Sequence, residues 1–160
     1  MLEADRLVIY AASEKEMNQI IASERDEALR EAYGEMLRGS LEHPDDWGWY
    51  SMWLIVRKDG ANIGSLSFKG PPEEGIAEIG YGIAEEYRGF GYATEALETL
   101  LEWAFEQPGL TCVAAETEPG NLASRRVLEK CGFTPTGLMG KEGARFILKS
   151  DRELTESSYF

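Results

Sequence analysis

The run Arg88-Gly89-Phe90-Gly91-Tyr92-Ala93 follows an apolar, strand-like stretch at 79–84 and opens a helical pattern. A strand-to-helix turn of this kind presents several backbone N–H groups together. The first turn of a helix has no internal partners for those groups, and the positive end of the helix dipole lies there. Glycines let the main chain approach a bound group closely. The chemistry this predicts is anion binding, with a phosphate as the natural guest.

Three phosphate ligands compete for such a loop. A nucleotide-triphosphate loop needs a lysine and then a hydroxyl residue after its second glycine, where Tyr92 and Ala93 stand instead. A dinucleotide fingerprint accepts Gly89 and Gly91, and Glu116 lies at a suitable distance further on. Its last small position, however, would be Thr94, and the preceding strands read as hairpins rather than βαβ units. The third reading takes the run as R-x-x-G-x-A and depends on the elements around it.

Those elements read as follows. Residues 7–11 form a first strand, and Ser13 with Glu16 makes a capping box that starts helical material running, with a break, to about residue 38, where Gly39 is the expected stop. Aromatic and β-branched residues at 48–57, the turn Lys58-Asp59-Gly60 and alternation at 62–69 predict a hairpin. A turn at 71–75 leads to another antiparallel strand at 77–84. Ala93, Ala96, Leu97, Leu100, Leu101 and Ala104 recur at helical spacing and predict one buried stripe. A short strand at 111–115, a helix at 121–131 stopped by Gly132, and a hairpin over 133–139 and 144–149 complete the pattern. No repeat, linker or low-complexity segment interrupts it. The fold class is α+β, a mixed, mostly antiparallel twisted sheet of about six to seven strands with flanking helices.

Three segments in order, Ile79-Gly80-Tyr81-Gly82-Ile83, Glu86-Tyr87-Arg88-Gly89-Phe90-Gly91-Tyr92-Ala93-Thr94-Glu95-Ala96, and Asn121 through Phe133, resemble consecutive landmarks of the GNAT superfamily of N-acetyltransferases, in particular its RimJ/RimL-like branch. The resemblance implies a single acetyltransferase domain over 1–150, followed by a polar tail at 151–160. It implies acetyl-coenzyme A as cosubstrate. The N–H groups of Gly89, Phe90, Gly91, Tyr92 and Ala93 would wrap its pyrophosphate, with Arg88 as a nearby positive charge; an ion pair of Arg88 with Glu85 or Glu86 is the plain structural alternative. The pantetheine arm would pair with the strand at 77–84 where it splays from the next one, using backbone contacts at Ile83 and Ala84. Gly80 and Gly82 suit a bulge there.

Acetyl transfer to an amine asks for a neutral nucleophile, a donor for the developing oxyanion, and help for the departing thiolate. A primary ammonium has a pKa near ~10.4 and must lose a proton before attack. Glu78 is the first candidate to take it and Glu116 the second; either would equally attract a cationic substrate. Backbone N–H near Ile83 would meet the thioester oxygen. Many superfamily members place a tyrosine where Leu128 stands; the RimJ/RimL-like branch uses a serine on the same helix, which Ser124 of Asn121-x-x-Ser124 matches. Asn121 would contact the cofactor, and it is also a good helix N-cap. A catalytically silent acyl-coenzyme A binding module is the alternative.

Trp47, Trp49 and Trp53 would share one face if 47–53 were extended, and beside Asp45 and Asp46 they would form a wall for a cationic acceptor; sheet core is the competing reading for Trp49 and Trp53. His43 reads as a loop residue. Composition sets the remaining bounds. With 43% apolar and 28% charged residues the chain reads as globular, and its 160 residues can bury roughly two-thirds of their unfolded surface. The net charge of −13, from 16 basic and 29 acidic side chains, opposes nucleic acid and anionic lipid and favours a cationic partner, with solubility as the plain alternative; the resemblance implies an amine-bearing acceptor, small molecule or protein N-terminus. No apolar run of membrane length and no basic leader occur, so a cytoplasmic location and a monomer or homodimer are expected. Cys112 and Cys131 lack metal-ligand spacing, and no metal is expected.

Overall fold

The computed structural model describes residues 1–150, so the expected polar tail lies outside the described residues. One sheet of eight strands runs through the molecule: β1 (Leu2–Glu3), β2 (Leu7–Ala11), β3 (Trp53–Arg57), β4 (Asn62–Phe68), β5 (Ile76–Ile83), β6 (Cys112–Thr117), β7 (Thr134–Gly140) and β8 (Gly143–Lys149). Their order is β1-β2-β3-β4-β5-β6-β8-β7. Every pair is antiparallel except β5–β6. The seven expected strands are all present, and the two-residue β1 adds the eighth.

Five helices flank the sheet: α1 (Glu14–Ser23), α2 (Glu27–Glu42), the short α3 (Trp47–Tyr50), α4 (Tyr92–Glu106) and α5 (Leu122–Lys130). Strand alternation divides the core between the two faces. Ile55 of β3 joins the cluster that receives Ala96, Leu97, Leu100, Leu101 and Ala104 of α4. Its neighbour Leu54 joins the opposite cluster, with Met17 of α1 and Leu37 of α2. The expected apolar stripe of α4 is therefore the inner face of one helical layer, and α1 and α2 form the other. Ser13 caps α1 in a complete capping box with Glu16.

Three local expectations give way to packing. α2 does not stop at Gly39 but runs through it to Glu42, and a Cβ at that glycine would overlap the Tyr50 ring. Residues 48–52 do not extend the strand, because Trp47–Tyr50 close a helical turn and β3 begins only at Trp53. Aromatic packing explains the turn: Trp49 meets Phe68 edge-on at 4.6 Å between centroids and Trp103 at 5.1 Å, while Trp53 lies 4.9 Å from Trp103. Finally, β5 carries no bulge at Gly80 or Gly82. Its register with β4 is unbroken from Gly64↔Ile83 to Phe68↔Ile79, and the register shifts lie instead between Ile55 and Val56 of β3 and between Pro135 and Met139 of β7.

Candidate active site

The loop before α4 adopts the conformation its glycines allow. Gly89 and Gly91 have φ of +86° and +81°, a region where side chains other than glycine are strained. Gly91 is the N-cap of α4 and makes no side-chain cap. The Glu95 N–H is the first to bond back into the helix, to the Gly91 carbonyl. Among the described residues the N–H groups of Gly89, Phe90, Gly91, Tyr92, Ala93 and Thr94 are therefore left without backbone acceptors, a ready anion site. Arg88 makes no ion pair with Glu85 or Glu86 among the described residues. Its Nε donates to the Ile83 carbonyl at 2.9 Å, which ties the loop to the end of β5 and leaves the rest of the guanidinium on the cleft wall.

β5 and β6 form a fork. Their parallel pairing covers only Ile76↔Cys112, Ala77↔Val113 and Glu78↔Ala114, after which the strands part. The ladder with β4 decides which β5 groups face the gap. Ala84 N–H donates to Ile63 and Lys69 N–H to Glu78, so the even-numbered residues of β5 spend their backbone bonds on β4. By the same alternation, the N–H groups of Tyr81 and Ile83 and the Tyr81 carbonyl point to the open side. The expected Ile83 contact thus has an available N–H. Ala84, also expected at the arm, has its N–H bonded to Ile63, and its carbonyl already accepts from Tyr87 N–H.

A cleft of about 430 Å³ joins the loop to this fork. Tyr81, Gly82 and Ile83 line one side, the loop and the start of α4 another, and α5 the third through Asn121, Ser124, Arg126, Val127 and Lys130. Among the described residues no acidic side chain lines it, although the chain carries a net charge of −13. Arg88, Arg126 and Lys130 make it a basic furrow in an acidic protein, and a concave site of one sign concentrates the opposite charge. Arg126 and Lys130 stand four apart on α5, one turn along the same face.

Asn121 is the N-cap of α5, its side-chain oxygen accepting the Ser124 N–H at 3.1 Å, so the capping reading holds while the residue also faces the cleft. Tyr81 was not singled out by sequence. Its hydroxyl lies 2.9 Å from Ser124 Oγ and 3.2 Å from the Ser124 carbonyl, and burial pushes its pKa up. The signal available was parity: Tyr81 shares the face of Ala77, Ile79 and Ile83, which packs under α4 and α5. Arg6, also missed, holds the loop from outside. It donates to the Phe90 carbonyl at 2.8 Å, pairs with Glu95 at 2.7 Å and lies over the Tyr92 ring at 4.4 Å.

The two expected carboxylates occupy the arms of the fork on the opposite face of the sheet from Tyr81. Arg145 of β8 bridges them, its Nη1 lying 2.8 Å from Glu78 and 2.9 Å from Glu116. Glu116 is nearly buried, at 5% side-chain exposure, and also accepts the Glu142 N–H at 3.0 Å. That amide and then Arg145 hold its carboxyl below the ordinary range. A Cβ at Gly140 would overlap this carboxylate, so the β7–β8 turn is shaped around it. Glu78 is more open, at 20%, and is paired with Lys69 at 2.5 Å; Lys69 in turn reaches Glu142 at 2.7 Å. Three acidic groups and two cations share this cluster.

The aromatic wall does not form. Trp49 and Trp53 are core, and Trp47 donates its indole N–H to the Ala12 carbonyl at 2.8 Å. Asp45 and Asp46 lie in the helical turn Pro44–Asp46 before α3, and His43 stacks on Tyr50 at 4.9 Å. Cys112 is buried, and burial pushes the half-buried Cys131 thiol up to about 12, which leaves it inert.

With the uncapped helix start, the forked strands and the basic furrow in place, residues 2–134 match the acetyltransferase (GNAT) domain family. The chain belongs to that family. An uncharacterized N-acetyltransferase of Bacillus subtilis (strain 168), YjdG, is 38% identical over 86 residues, covering 52% of this chain and 51% of the relative. The chain spans about half the length of the first curated relatives it matches. Among solved structures, a ribosomal-protein-S5-alanine acetyltransferase from Vibrio fischeri has a TM-score of 0.74 at 19% identity, over 93% of this chain and 96% of the other. A spermidine N-acetyltransferase from Vibrio cholerae, in complex with CoA and spermine, has a TM-score of 0.71 at 18% identity, over 93% and 98%. These two likenesses are of fold. No helix among the described residues is long and apolar enough to cross a membrane.

Proposed function

We propose that this chain is an acetyl-coenzyme A-dependent N-acetyltransferase of the RimJ/RimL-like branch, moving the acetyl group to a primary amine by direct attack in a ternary complex. The observation that carries the reading is the continuity of the cleft. It runs from six N–H groups at the start of α4 to the unpaired edge of β5, which fits a ligand with a pyrophosphate at one end and an amide-bearing arm at the other. Membership of the acetyltransferase (GNAT) family supports it.

In this reading the N–H groups of residues 89–94 hold the pyrophosphate, and Arg126 and Lys130 supply further positive charge along α5. Tyr81 and Ile83 pair with the arm, strand to strand. The Ile83 N–H, fixed before reaction by the β4 ladder, meets the thioester oxygen as it gains charge. Ser124 donates a hydrogen bond toward the leaving sulfur. Glu78 takes the amine proton, directly or through water; of the two carboxylates it is the more exposed, at 20% against 5%, whereas the carboxyl of Glu116 is held below its ordinary range. Glu116 then serves to hold the β7–β8 turn. The acceptor is a peptide N-terminus or a small amine; the fold neighbours include a ribosomal-protein-S5-alanine acetyltransferase and a spermidine N-acetyltransferase.

One observation favours a second reading, acyl-coenzyme A binding without turnover: both carboxylates are already paired with cations. The same experiment decides between the two. Steady-state acetyl transfer is measured against a panel of peptide N-termini, polyamines and small amines, alongside calorimetric titration of coenzyme A. Turnover of any amine that falls sharply in Glu78→Gln supports the enzyme. Tight coenzyme A binding with no turnover establishes the silent module.

A further inference from the structure

Ser124 sits in the first turn of α5, on the cleft wall. A serine on a helix can turn its hydroxyl back to a carbonyl of its own helix, where its proton is spent on the main chain. Here two other groups hold the residue. The Asn121 side chain takes its N–H, and the Tyr81 hydroxyl, from the strand across the cleft, lies 2.9 Å from its Oγ and 3.2 Å from its carbonyl.

We infer that Tyr81 is a positioning residue for departure of the leaving group, acting through Ser124: the phenol gives its one proton to Ser124 Oγ, the nearer of the two Ser124 oxygens within its reach, and so leaves the serine O–H free for the cleft. This rests on the acetyltransferase reading. Tyr81 is well suited to donate, because burial keeps its proton on through the working pH range. A hydroxyl that accepts one hydrogen bond is a stronger donor of the next. As the C–S bond breaks, its electron pair goes to sulfur, and the Ser124 O–H stabilises the thiolate by hydrogen bonding. Both hydroxyl protons stay on their oxygens. The proton lost by the attacking nitrogen is the one sulfur finally takes, by way of Glu78 and water, so the transfer balances with no further reactant.

Coenzyme A bound to the protein gives a readout independent of turnover, since its thiolate absorbs in the ultraviolet and the thiol can be titrated in place. The wild-type chain should ionise the bound thiol below the ordinary value of about 8.5. Tyr81→Phe and Ser124→Ala should each lower the thiolate fraction near neutral pH by about threefold, and the double variant no further than either alone. In turnover, Tyr81→Phe should lower kcat about three- to tenfold, the worth of one hydrogen bond, with KM for acetyl-coenzyme A unchanged. Phe keeps the ring, and matched melting temperatures confirm the fold.

An unmoved thiol in Tyr81→Phe, or a shift that adds in full to that of Ser124→Ala, overturns the inference and leaves the acetyltransferase standing. Turnover of no amine, with the coupled thiol shifts intact, overturns the acetyltransferase and leaves Tyr81 as the group that orients Ser124. Failure of coenzyme A to bind overturns both.

Discussion

Arg145 donates to Glu116 at 2.9 Å across the β6–β8 pair, and the same Nη1 reaches Glu78 at 2.8 Å, so one guanidinium spans the two arms of the fork. Glu116 is held below the ordinary carboxylate range, first by the Glu142 N–H and then by Arg145. A carboxylate with a lowered folded-state pKa stabilises the fold above its unfolded value and loses that contribution as pH falls through the folded value. Stability should therefore drop below about pH 4.3, the ordinary glutamate value. Denaturant melts across pH should show a shallower acid slope for Glu116→Gln, together with a loss of about 1–3 kcal/mol at pH 7 from the weakened charged hydrogen bonds. An unchanged acid slope would remove Glu116 from this role.

Arg6 offers a second test, on cofactor binding. Glu95 places a negative charge in the first turn of α4, beside the N–H groups that would hold an anion, and Arg6 neutralises it while tying down Phe90. Arg6→Met should weaken coenzyme A by about tenfold, equivalent to about 1.4 kcal/mol. The melting temperature should move little, because an exposed ion pair contributes at most about 1 kcal/mol. Calorimetric titration checks the first and thermal melting the second.

Gly91 has a positive φ of 81° and abuts Arg6, so its substitution acts on the backbone as well as on the ligand. Gly91→Val should cost roughly 1–2 kcal/mol of stability, the penalty of a side chain in the left-handed region, in addition to most of the coenzyme A affinity. A variant that melts like the wild type would show that the loop can re-form with ordinary dihedrals.

The basic wall makes a salt-dependent prediction. Arg126→Gln with Lys130→Gln removes two of the three cations lining the cleft. Affinity for coenzyme A should fall at low ionic strength and converge toward the wild type at about 1 M salt, where the screening length is near 3 Å. Parallel affinity curves for the two proteins would place these side chains away from the bound anion.

The parts of the site that were legible in the sequence are contiguous. Glycines in a strand-to-helix turn and an Asn capping a helix declare themselves through neighbours a few residues away, and so do capping boxes and apolar stripes. The misread parts were those where a local preference met a distant partner. Residues 48–52 have the composition of a strand, yet 47–50 close a helical turn in which Trp49 packs on Phe68 and Trp103. Gly39 reads as a helix stop, and only the Tyr50 ring explains why α2 passes through it. The resemblance places Ala84 at the ligand beside Ile83, and only the antiparallel ladder shows that its N–H is spent on Ile63.

What the sequence determined by itself was the anion-binding turn and the apolar faces that position it, since helix starts, positive-φ glycines and residue periodicity are local properties of the chain. What only the tertiary structure decided was which side chains meet around that turn. Tyr81 and Ser124 are 43 residues apart, Arg6 and Glu95 are 89 apart, and Glu78 and Arg145 are 67 apart. Their pairing follows from strand register, from the parity that sends Tyr81 to one face and Glu78 to the other, and from the point at which β5 and β6 part. No local propensity carries that information, because it arises only when the sheet has closed its ladders.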